Sequence, residues 1–196
     1  MITTFKLLPI LAAGALVLAA CSSPEEPDAS FDVGAATSYL ATDCALQGPP
    51  TEVADPPVGD VAPGVAVGEG AEGVPVVYVA ADAAPATELQ AVTILPGNGP
   101  SAALGNDITV NYCGVGLSTG TLFDSSWARG EPITFQLVEG GLIAGWTQGV
   151  PGMQLGEQRL LVIPSDLAYG SNPPPGIEPD ESLVFVVELR DISGEG

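Results

Sequence analysis

The chain has 196 residues, which suits one domain with appendages rather than two large cores. Four lysines and arginines stand against 24 acidic residues, a formal net charge of -20. Such a surface repels nucleic-acid phosphates and acidic membranes, excludes both as electrostatic partners, and favours a soluble monomer.

The first segment, MITTFKLLPILAAGALVLAAC, carries one lysine, Lys6, then an apolar run up to Ala20 and finally Cys21. The run is short for a spanning helix and contains Gly14, as expected of a signal peptide. Its ending, LAAC at 18–21, resembles the lipobox of bacterial lipoproteins. That resemblance implies a signal peptide over 1–20, cleavage before Cys21, a lipid on the Cys21 thiol, and an extracytoplasmic protein anchored to the bacterial cell membrane. An ordinary secretory signal with an incidental cysteine is the alternative. Removal of the segment would leave Cys44 and Cys113, and outside the cytoplasm an even pair is a disulfide candidate. Two buried or free thiols would fit the sequence as well.

Residues 21–73 are dense in proline, glycine, alanine and acidic side chains. That composition predicts an extended linker, with too little apolar surface to offset the entropy of ordering it. VPVVYVA at 74–80 is the first strand candidate, and DAAPATE turns away from it, so 74–87 reads as an extra strand and lead-in. From residue 88 strands dominate. LQAVTIL runs into the turn PGNG, and DITVNYCG alternates Ile108, Val110 and Tyr112 on one face with Thr109, Asn111 and Cys113 on the other. ITFQLV, EQRLLVIP and SLVFVVELRD follow with similar spacing. LIAGWTQGV at 142–150 is the one substantial helix, although its glycines weaken it. Packing of Trp146 against the sheet, rather than propensity, must hold it, which makes an α+β layer arrangement.

Several chemistries are missing. The chain has no histidine, hence no Ser-His-Asp arrangement, and no clustered thiols for zinc. It has neither a GxxxxGK loop nor a dinucleotide fingerprint, and its acidic residues show no paired-carboxylate spacing. What stands out is aromatic: Tyr112, FDSS at 123–126, Trp146, AYG at 168–170 and Phe185. Singly, each is an ordinary core residue.

Taken together, VNYCG, LFDSSWARGEPITF, EGGLIAGWTQGVPGMQLGEQRLLVIPSDLAYG and SLVFVVELRDI resemble an FKBP-type peptidyl-prolyl isomerase domain over residues 88–193. With the upstream linker and lipobox, the arrangement resembles the secreted or lipid-anchored bacterial members. The resemblance implies a curled antiparallel sheet wrapped around one short helix, preceded by an extended Pro/Gly-rich segment. It implies a pocket with Trp146 as floor, Tyr112, Phe123 and Phe185 as walls, and Leu142 and Ile143 as lip. Asp124, Arg129 and Tyr169 match its polar positions, Ile133 its lip position on the next strand, and Ile177 the substrate-facing loop. Pro174 replaces a histidine common in that loop, and Glu178 stands where a second apolar residue is usual. Those departures bear on substrate preference and on binding of macrolide inhibitors.

The implied reaction, cis-trans exchange at X-Pro bonds of unfolded or nascent exported polypeptides, needs no cofactor or metal. Amide resonance keeps the bond planar and makes uncatalysed exchange slow. A dry aromatic pocket disfavours the polar planar state relative to the twisted one. By the same resemblance, the Tyr169 hydroxyl and a backbone N–H near Ile143 would hold the peptide, while Asp124 would orient Arg129 rather than move a proton. Two other readings compete: an FKBP-like binding or chaperone module that turns over slowly, and a structural surface lipoprotein whose pocket is filled by its own side chains.

Overall fold

The computed structural model describes residues 38–56 and 58–194. The signal segment and the proposed lipidation at Cys21 lie outside them. Within them, Cys44 and Cys113 are joined in an internal disulfide. The lipid-anchored localisation is corrected on this finding, because neither described cysteine is free to carry a lipid. No described helix is long and apolar enough to cross a membrane.

The described part of the segment whose composition predicts an extended linker, from residue 38 on, instead carries three short strands. These are β1 (Tyr39–Asp43), β2 (Thr51–Val53) and β3 (Val65–Glu69), and they pair antiparallel with β4 (Pro75–Ala80), the strand expected at 74–80, in the order β2-β1-β4-β3. Small valines make this sheet possible. Val65, Val67, Val77 and Val79 are all buried on one side of the sheet, and most of the described glycines and prolines of this region fall between the strands.

The second sheet contains β5 (Gln90–Leu95), β6 (Asp107–Gly116), β7 (Leu122–Ser125), β8 (Ile133–Gln136), β9 (Gln158–Ile163) and β10 (Leu183–Ser193). Its order is β5-β9-β10-β6-β7, and β8 also pairs with β6. The long strand β6 therefore holds two partners end to end, β8 against 107–110 and β7 against 113–115. Among the described residues there are two short α-helices, α1 (Ser126–Arg129) and α2 (Ala144–Gly149).

Side chains alternate along β9 and β10 between two separate cores. Leu161, Ile163, Leu183, Phe185, Val187 and Leu189 join Trp146, Val150 and Met153 on the α2 side. Leu160, Val162, Val184 and Val186 join Cys113, Val115 and the valines of the first sheet on the other. The second sheet is thus a middle layer with both faces covered.

This layering corrects the expected curled sheet. The ladder is open, ending at β5 on one edge and at β7 and β8 on the other, with no pairing between these edges. Helix α2 packs on one face, and the first sheet backs the other instead of an extended Pro/Gly-rich segment preceding the domain.

Helix α2 is six residues long, has no side-chain N-cap, and includes two glycines. Their value is proximity. A Cβ on Gly145 would stand 2.4 Å from Ile163 Cγ2, and one on Gly149 would stand 2.7 Å from Leu161 Cδ2. Only bare backbone lets the helix lie this close to β9 and press Trp146 into the core.

Candidate active site

The α2 side of the second sheet opens into a cavity of about 710 Å³. Trp146, 4% exposed, lies at its base. Three rings meet the indole edge-on: Phe185 at 5.4 Å, Tyr112 at 5.6 Å and Phe135 at 5.6 Å between centroids. Phe123 meets Phe185 at 5.5 Å, again nearly perpendicular. Edge-to-face contact satisfies the ring quadrupoles and fixes each wall by its neighbours. Leu142, Ile143 and Ala144 line the mouth from the start of α2, while Ala168, Tyr169, Pro174, Pro175 and Ile177 line it from the loop before β10.

A bulge places the polar group. The β6–β7 register shifts between Gly114 and Val115, so that Gly114 faces Asp124 and Val115 faces Leu122. The extra residue, Phe123, breaks the strand's alternation, and both Phe123 and Asp124 border the cavity. The Tyr112 hydroxyl donates to the Asp124 carboxylate, whose other oxygen pairs with Arg129. Arg129 Nη2 closes the triangle by donating to the Tyr112 hydroxyl at 3.1 Å, and its guanidinium carbon lies 5.5 Å from the Tyr112 ring centroid.

Burial, reinforced by the bond to Asp124, pushes the Tyr112 phenol up to about 12. The Tyr169 phenol is raised too, by burial first and then by the Asp124 charge. Both hydroxyls therefore stay protonated at neutral pH and remain donors. Among the described residues no group of three or more acidic or cysteine side chains could hold a metal.

Most of the residues singled out in the sequence converge here. Tyr112, Phe123, Asp124, Trp146, Tyr169, Phe185, Leu142, Ile143 and Ile177 all line the cavity. Arg129 does not line it and reaches it only through Asp124 and Tyr112. Ile133 is not a lining residue either. It pairs with Val110 and packs half-buried against the core. The lip position two residues on, on the same face of β8, belongs to Phe135, which sequence reasoning passed over. The signal was present in ITFQ, where period-two spacing offers an aromatic beside the isoleucine. Pro174 lines the cavity and Glu178 does not. The cavity is not plugged by its own side chains, which removes the feature that would mark a purely structural protein.

Comparison with known proteins agrees with this geometry. The FKBP-type peptidyl-prolyl cis-trans isomerase family matches residues 99–190. An FK506-binding protein of Streptomyces anulatus is 48% identical over 107 residues, covering 54% of this chain and 86% of that protein. The peptidyl-prolyl cis-trans isomerase FPR2 of Saccharomyces cerevisiae is 54% identical over 89 residues, covering 45% of this chain and 66% of the relative. In structure, FkpA from Escherichia coli superposes with a TM-score of 0.51 at 41% identity, over 55% of this chain and 49% of FkpA. AtFKBP13 gives a TM-score of 0.50 at 34% identity, over 56% of this chain and 96% of its own. None of these matches accounts for the first sheet as well as the second, since each covers little more than half of the chain or less. An aromatic cavity floored by Trp146, and a relative matched over most of its length, place the chain among the FKBP-type peptidyl-prolyl cis-trans isomerases.

Proposed function

We propose that the chain catalyses rotation about X-Pro bonds of unfolded polypeptides, exported proteins among them, by seating the proline ring over Trp146. The observation that carries this reading is the convergence of four aromatic rings on one open cavity beside two protonated phenols. In the planar ground state, resonance places charge on the prolyl amide oxygen, and an apolar wall solvates that charge poorly. The twisted amide has lost the resonance and suffers less, so the pocket favours it. The Tyr169 hydroxyl and the Ile143 backbone N–H hold the peptide on either side. Asp124 fixes Tyr112 and Arg129 and transfers no proton. The disulfide fits a protein working where thiols are oxidised, which supports exported clients. The cavity also suits an apolar macrolide, the ligand class named for the Streptomyces relative.

The test is exchange spectroscopy on a short X-Pro peptide with the full chain, without added metal or nucleotide. Faster cis-trans exchange is expected, with Trp146→Ala losing more than about tenfold; thermal unfolding of that variant separates lost catalysis from lost folding. Peptide binding without faster exchange would overturn the proposal in favour of a binding module.

A further inference from the structure

A second, smaller cavity of about 200 Å³ adjoins the first. It is lined by Gln47, Gly48, Leu122, Phe123 and Asp124, so Phe123 and Asp124 border both. Its far wall comes from the first sheet, in the loop joining β1 to β2. That loop is held firmly at its base. Cys44 is bonded to Cys113, which stands opposite Ser125 in the ladder. The Ser125 hydroxyl donates to the Cys44 carbonyl at 2.6 Å, and the Thr42 hydroxyl donates to the Gly120 carbonyl at 2.5 Å. The Asp43 carboxylate accepts from the Ala45 N–H at 2.8 Å and turns the chain outward. Gln47 and Gly48 are nevertheless exposed, as is Leu46 at 63%. Buried anchors thus present an exposed rim to the side of the catalytic cavity.

The strand facing that rim, β7, is an edge strand. An edge offers unpaired backbone groups that an extended peptide can pair with, and a glutamine amide can both donate to and accept from peptide groups. We propose that the groove between Gln47–Gly48 and the outer edge of β7 is a specificity subsite that binds the extended polypeptide flank of an X-Pro substrate. This rests on the proposed isomerase reading of the main cavity. The occupant follows from continuity: a chain whose proline sits over Trp146 leaves past Phe123 and Asp124 and enters the groove. The first sheet, joined to β6 through the disulfide, thereby gives the enzyme a preference for long unfolded chains over short peptides.

The experiment compares kcat/KM on a tetrapeptide with kcat/KM on an unfolded, proline-limited protein substrate, using the full chain. Gln47→Ala should lower the ratio of long to short by about fivefold, the effect of one or so hydrogen bonds. Gly48→Phe should lower it at least as much by occupying the groove; Gly48 is exposed and a Cβ there meets nothing within 4 Å, and thermal unfolding checks that the variant is folded. Leu104→Ser, an exposed position lining neither cavity, should leave the ratio unchanged. An unchanged ratio in both loop variants overturns the subsite. A wild-type chain inactive on the tetrapeptide would instead overturn the isomerase reading itself, so the two failures are distinct.

Discussion

Asp124 receives a hydrogen bond from Tyr112 and an ion pair from Arg129, an arrangement that looks at first like an acid-base relay. Its geometry says otherwise. The Arg129–Asp124 pair is more than a third exposed on both sides, so its charge is screened and contributes little. Asp124→Asn keeps an acceptor for Tyr112 and should cost less than about tenfold in kcat/KM. The rate should stay flat between about pH 6 and 8, a window from which histidine, absent here, would be the usual titrating group. A bell-shaped profile with complete loss in the folded Asp124→Asn variant would refute the non-acid-base mechanism. Tyr169→Phe keeps the ring and removes the hydroxyl, and should cost about fivefold. Phe135→Ala should cost at least as much, because it removes a ring that touches both Tyr112 and Trp146; steady-state kinetics on a short X-Pro peptide measures both. At this scale the aromatic cavity was legible in the sequence, since Trp146, Tyr112 and Phe185 sit in distinctive motifs. The exchange of Ile133 for Phe135 was not, because choosing between two residues on one face of a strand requires knowing where the cavity begins.

Helix α2 exists because of what it touches. Alanine is the better helix former by about 1 kcal/mol, yet Gly145→Ala would drive a methyl into Ile163. Overpacking of this kind typically costs about 1–3 kcal/mol, so Gly145→Ala should lower the unfolding midpoint despite its propensity gain, as thermal denaturation would reveal. The strands tell a related story. The sequence showed where β9 and β10 run, but not that both their faces are covered. A clue lay in LLVI and LVFVV, which are continuous apolar runs rather than alternating ones, the mark of a doubly buried strand. Strands β1 to β3 were illegible for another reason. They are three to five residues long, and turn residues around them dominate any composition window.

Across the whole molecule, the titrations of Glu157 and Tyr112 each make stability depend on pH. Glu157 is buried, which works against its charge, but bonds from the Gln154 N–H, Thr93 and Arg159 outweigh this and hold its carboxyl below the usual value. That stabilisation is present above about pH 4.5 and is lost as pH falls through the lowered folded-state pKa. Tyr112 acts at the other end: its raised phenol contributes fully below pH 10 and is lost as pH rises towards about 12. Equilibrium unfolding across pH should show both shoulders, and Tyr112→Phe should diminish the alkaline one, to which the raised Tyr169 phenol also contributes. The disulfide closes a separation of 69 residues. Replacing Cys44 and Cys113 by alanine together should cost about 4 kcal/mol in the chain-entropy account, readable by denaturant titration. The doubly covered middle sheet has a practical consequence for any attempt to trim the protein to its family-matched portion. A fragment beginning at residue 88 would bare Val115, Leu160, Val162, Val184 and Val186 to water as one contiguous greasy face. It should bind a hydrophobic dye and precipitate or self-associate as its concentration rises, even with every residue that lines the aromatic cavity in place.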